Sequence, residues 1–110
     1  MLHKRDGIIL KKVFEEITYL ETTLTGFTRE TFLANEDKKR VVAMTLLNMG
    51  ELVKNLSKDF LKGAPTFPIH RMRGLRHIAA HEYYALRFHD IWDTVQKDLP
   101  NLKKQIQGFL

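Results

Sequence analysis

Residues 36–61 read EDKKRVVAMTLLNMGELVKNLSKDFL. Val42, Leu46, Met49, Val53, Leu56 and Phe60 recur within them at steps of 4, 3, 4, 3 and 4, the spacing that gathers apolar side chains on one face of a helix. Asn35 stands before the run, followed by Glu36 and Asp37. A side-chain cap and first-turn acids both suit the electropositive start of a helix. The pattern predicts one long helix over residues 36–61.

The same reading extends in both directions. Leu10, Val13, Ile17, Leu20 and Leu24 step by 3, 4, 3 and 4, which predicts a helix over residues 3–25, closed by Gly26. Thr28 is placed to cap a short turn through Leu33, with Glu30 in its first turn. Gly63, Pro65 and Pro68 mark the clearest break. Pro68 suits the first position of a third helix, running to about Tyr84. A fourth helix starts near Phe88. Ile91, Val95, Leu99, Leu102 and Ile106 hold helical spacing across Pro100, as either a kinked helix or two abutting ones. No window alternates with period two. The expected fold is therefore all-α, a bundle of four to five helices in one domain over residues 1–110. Its two long helices are expected to pack in coiled-coil fashion.

Composition narrows the function classes. With no cysteine there is no disulfide, thiolate metal site or cysteine nucleophile. No apolar run approaches the roughly 20 residues of a membrane span, and the opening MLHKRDGIIL lacks the form of a signal peptide. A cytoplasmic protein is expected. The net charge of +5 arises mostly in residues 51–110, with ten Lys/Arg against six Asp/Glu. That bias suits a polyanionic partner. No glycine-rich phosphate loop and no nucleophile elbow occur.

Four of the five histidines and four of the seven arginines fall between His70 and His89, with Glu82 the single acid. Histidine moves protons near neutral pH and arginine holds phosphate. On one helix Arg73, His77 and His81 share a face. Arg76 and His81 diverge by about 140° at 100° per residue, so one helix does not converge them. Three readings stay open on these grounds. The stretch is a solvated basic face; or His77 and His81 supply two ligands to a metal, although no acid follows His77 directly as in a zinc-protease helix; or His81 and Arg76 carry acid–base chemistry at a phosphodiester. The last needs no metal when the attacking group is the tethered 2′-hydroxyl of RNA.

The spacing Arg76, four residues, His81, one residue, Tyr83 resembles the signature of HEPN-domain proteins, specifically of the HepT-like toxin ribonucleases. Met49-Gly50-Glu51 is similar to the Ile-Gly-Glu of that family's second long helix. Pro65 and Gly74-Leu75-Arg76 resemble its Pro-rich lead-in and Gly-Met-Arg, and Ile91-Trp92 through Leu102 resembles its last helix. Two positions depart from the pattern: His77 stands where a small polar residue is common, and Glu82 where glycine is frequent.

The resemblance implies an all-helical homodimer with the two motifs meeting across a cleft. It implies metal-independent RNA cleavage without a cofactor, in a type II toxin–antitoxin system. His81 is then the general acid/base and Arg76 the phosphate stabiliser. Arg71, Arg73 and His77 are expected to guide RNA. Glu51 either anchors the motif helix through a charge-assisted hydrogen bond or is an exposed carboxylate. The implied partner is a small nucleotidyltransferase antitoxin that adds AMP to Tyr83, placing charge and bulk in a site built for phosphate. The alternative is a non-catalytic, nucleotide- or RNA-binding accessory subunit of a nucleotidyltransferase, and a plain helical dimerisation module is a third. Trp92 is expected in the core or an interface.

Overall fold

The structure, a computed structural model, describes residues 2–110. It is helical throughout, with no strand among the described residues. Helix α1 spans Lys4–Thr23 and buries Ile9, Leu10, Val13, Ile17 and Leu20. It gives way to a turn in which Gly26 takes φ 83°, a conformation that side-chain-bearing residues rarely adopt. Helix α2, Arg29–Leu33, starts with a reciprocal cap: the Thr31 N–H donates to Thr28 Oγ1 at 3.2 Å and the Thr28 N–H to Thr31 Oγ1 at 2.8 Å. Helix α3, Glu36–Val53, begins where Asn35 Oδ1 accepts the Lys38 N–H at 3.0 Å.

The helix expected over residues 36–61 is two helices. Helix α3 stops at Val53, and α4 begins afresh at Lys58–Gly63. Ser57 drives the restart. Its hydroxyl accepts the Phe60 N–H at 3.0 Å and donates to Asp6 Oδ2 at 2.6 Å, while its N–H donates to Asp6 Oδ1 at 2.9 Å. Asp6 lies in α1 and is 1% exposed. A serine that offers the backbone a better partner outside the helix ends the helix there. Leu56 and Phe60 stay buried across the break, so the apolar stripe survives it.

Helix α5, Ile69–His81, has Pro68 as its N-cap rather than its first residue. It ends three residues short of Tyr84. Glu82 leaves the helical region at φ −140°, and Tyr83–Ala85 forms one turn of 3₁₀-helix. Helix α6, Phe88–Asp93, runs through a π-helical turn, Thr94–Asp98, into α7, Leu99–Phe109. Pro100 has no N–H for its upstream bond. The wide turn before it takes up the mismatch without breaking the rod.

Helix α3 is the centre of the bundle, packed against α1 on one side and most extensively against α5 on the other, while α7 packs on α1. The shortest Cα extent, 19 Å, is that of two helix layers. Helix α3 does pack on α1, as the paired stripes predict, but its larger contact is with α5. Gly50 explains this. A Cβ there would overlap the Cβ of Arg76, lie 2.8 Å from its Cγ and 3.0 Å from the Met72 carbonyl oxygen. The two backbones approach to a distance that only glycine allows. Gly50 against Arg76 and Arg40 beside Tyr83 also fix the two helices as antiparallel. Trp92 lies in the core, its ring 5.3 Å from that of Phe32.

Candidate functional site

Arg76 leaves α5 toward α3, along the seam that Gly50 opens. Its Nε donates to Glu51 Oε1 at 2.7 Å, and a second guanidinium nitrogen reaches the same oxygen. Lys54 Nζ approaches Glu51 Oε2 at 2.5 Å. Lys54 first and Arg76 second hold the Glu51 carboxyl below its ordinary pKa. The carboxylate fixes the guanidinium without covering it: both side chains remain 32% exposed.

Beside this pair lies a cleft of about 400 Å³ lined by Gly50, Lys54, Arg73, Gly74, Arg76 and His77. Three cations meet one carboxylate there, so a phosphate entering the cleft finds a positive field and planar donors. His77, at the rim of this cleft, and His81 are both exposed, their rings 4.9 Å apart and tilted by 52°. Among the described residues they form no three-residue group with another His, Asp or Glu able to hold a metal. His81 does not line the cleft. The divergence of Arg76 and His81 expected from helical geometry is thus present within one chain.

The structure brings together Arg73, Arg76, His77 and Glu51, and sets Arg71 apart. Arg71 donates to Thr94 Oγ1 at 2.5 Å and lies 3.4 Å from Asp98 Oδ2, across a separate cavity between α3, α5 and α7. Tyr83 packs between Phe88 at 5.6 Å and Tyr84 at 5.5 Å, with the Arg40 guanidinium 5.6 Å from its ring centre. Its hydroxyl is buried without a hydrogen-bond partner, whereas Tyr84 is 94% exposed. Sequence reasoning missed Lys54 and Arg40. Lys54 follows Glu51 by one helical turn, a legible i, i+3 pair. Arg40 meets Tyr83 only through the packing of α3 on α5, which no local spacing encodes.

An all-helical domain with an arginine clamped in a cationic cleft and paired histidines on the same helix has the parts of an RNA-cleaving domain of the HEPN kind. The profile of ribonuclease HepT-like proteins matches residues 13–108, and the chain belongs to that family. It is 31% identical over 101 residues to a protein of Caldanaerobacter subterraneus subsp. tengcongensis named as a candidate RNase, covering 92% of this chain and 90% of that one. A Methanocaldococcus jannaschii protein named in the same way is 35% identical over 101 residues, covering 92% and 84%. A probable ribonuclease HepT of Thermococcus cleftensis is 29% identical over 98 residues, covering 89% of each. No solved structure matches the chain. No helix among the described residues is long and apolar enough to cross a membrane.

Proposed function

We propose that this ribonuclease is an endonuclease that cuts RNA without a metal, through His81 and Arg76. The observation that carries the reading is Arg76 held by Glu51 in a cleft shared with Lys54 and Arg73. In the proposed step His81 accepts the 2′-hydroxyl proton as that oxygen attacks the adjacent phosphorus. The P–O5′ bond breaks, giving a 2′,3′-cyclic phosphate, and the departing oxygen takes up a proton. Arg76 neutralises charge gathering on the non-bridging oxygens. Arg73 and His77 guide the backbone, and Arg71 is reserved to a more distant contact. Two copies contribute to one cleft, because within one chain His81 and Arg76 point apart.

The wider setting proposed is a cytoplasmic toxin–antitoxin pair in which a nucleotidyltransferase adds AMP to Tyr83. With its hydroxyl buried, Tyr83 becomes an acceptor only when the turn at residues 82–87 opens. The accessory-subunit reading draws on one observation, that Glu51 already neutralises part of the Arg76 charge. Incubating the purified protein with RNA in EDTA separates the two. Cleavage that His81→Ala and Arg76→Ala each abolish, with helical content intact, supports the enzyme. Binding without cleavage supports the accessory subunit. Full activity in both variants overturns the assignment of these residues.

A further inference from the structure

Helix α1 carries a second stripe that the core does not use. Ile8, Lys12, Glu15 and Tyr19 step by 4, 3 and 4, about 150° round the helix from the buried stripe at 100° per residue. All four are exposed, and Ile8 and Tyr19 are 48% and 51% exposed. Met44 of α3, at 58%, adds a third large apolar side chain. The stripe borders two adjoining grooves between α1 and α3, which share Glu15, Glu16 and Asn48. Among the described residues neither Lys12 nor Glu15 has an ion-pair partner. Partial burial first, and the Glu15 charge second, hold the Glu16 carboxyl above its ordinary pKa, while Lys12 and Arg40 line the same grooves.

Read in opposite directions, the stripe matches itself. Apolar, lysine, glutamate, apolar becomes apolar, glutamate, lysine, apolar. We infer that a second copy of this chain docks antiparallel along α1, with Ile8 against the partner's Tyr19 and Lys12 against the partner's Glu15, each contact occurring twice about a two-fold axis. An isologous interface requires this kind of self-complementary patch, and paired charges set the register while the apolar ends supply burial.

The seam completes the site. Helix α3 lies between α1 and α5, so an axis running across this layer stacks the partner's α3 and α5 over their own counterparts. The axis passes midway between Lys12 and Glu15, near Asn48 on α3. Gly50, two residues on from Asn48, faces Arg76, and α5 runs antiparallel to α3 from there to His81, so on α5 that level falls past Arg76 and before His81. The antiparallel stack therefore turns Arg76 of one chain toward the partner's His81. The inference rests on the reading that two copies build one site, and it assigns the surface that joins them.

Charge exchange tests it. Lys12→Glu and Glu15→Lys each convert two attractions into two repulsions, while the double variant restores both with the signs reversed. The dissociation constant of the dimer, measured by sedimentation with circular dichroism confirming the fold, should rise about tenfold or more in each single variant. The double variant should return most of the way to the parent value. Single variants that dimerise like the parent overturn the seam while leaving a two-chain site intact. A double variant no tighter than the singles overturns the antiparallel register. A parent protein that is monomeric yet cleaves RNA overturns the two-chain site and the seam with it.

Discussion

Gly50→Ala is the substitution whose effect follows most directly from the packing. The added methyl would overlap the Arg76 Cβ and meet its Cγ at 2.8 Å and the Met72 carbonyl oxygen at 3.0 Å. Two of these neighbours are backbone-fixed, so α5 must move away from α3. Overpacking of this kind costs about 1–3 kcal/mol, against a helix-propensity gain of about 1 kcal/mol for replacing glycine with alanine. A hard overlap with the Arg76 Cβ belongs at the upper end of that range, about 2–3 kcal/mol, so the net expectation is a loss of about 1–2 kcal/mol, or roughly 5–15 °C in midpoint for a domain of this size. Gly74→Ala provides the control. Gly74 lies inside α5 with nothing within 4 Å of its Cβ position, so the same exchange should stabilise by about 0.5–1 kcal/mol. Thermal unfolding followed at 222 nm reads both. Displacing α5 also pulls Arg76 from Glu51, so cleavage should fall in Gly50→Ala further than the unfolded fraction accounts for. A Gly50→Ala variant as stable as the parent would refute the close approach.

Three further outcomes are expected. Asp6→Ala removes the acceptor for two Ser57 donors in a site 1% exposed and should lower stability by about 1–3 kcal/mol in urea unfolding; an unchanged midpoint would mean the joint between α1 and α4 is not held this way. Glu51 has its folded-state pKa depressed below 4.5, so its contribution is present above that value and lost as pH falls through the folded-state pKa; the Tm gap between the parent and Glu51→Gln should close on acidification below pH 4.5, and a gap that widens there contradicts the ion pair. Tyr83→Phe deletes a buried hydroxyl with no partner, so thermal unfolding should show equal or greater stability, while mass spectrometry after co-expression with a nucleotidyltransferase should lose any AMP adduct found on the parent; a clear drop in Tm would show that the hydroxyl is bonded.

What the sequence made legible follows local rules. The caps at Thr28 and Asn35, the buried stripes of α1 and α3 and the break before α5 all depend on residues within a turn of one another. The end of α3 at Val53 was hidden because Asp6, far away in the chain, supplies the acceptor that lets Ser57 start a new helix, while Leu56 and Phe60 keep the period unbroken. The π-helical turn before Pro100 was half visible, since proline forbids the bond but does not choose between a kink and a wide turn. At the site, the Arg76, His81 and Tyr83 spacing was readable and so was the divergence of the first two. The separation of Arg71 from Arg73 and His77, its expected partners in guiding RNA, comes from its contacts with Thr94 and Asp98, which only the fold supplies. The approach of Arg40 to Tyr83 and the enclosure of the Tyr83 hydroxyl come from packing between α3, the 3₁₀ turn and α6, and needed the fold.

The most direct measurement is RNA cleavage in EDTA by Arg76→Ala, by His81→Ala, and by the two mixed and allowed to exchange subunits. Each variant alone should be inactive. The mixture should regain part of the parent rate, because a mixed dimer holds one cleft with Arg76 from one chain and His81 from the other, both intact. A mixture as inactive as its components would contradict the two-chain site, and cleavage by either variant alone at the parent rate would contradict the assignment of that residue.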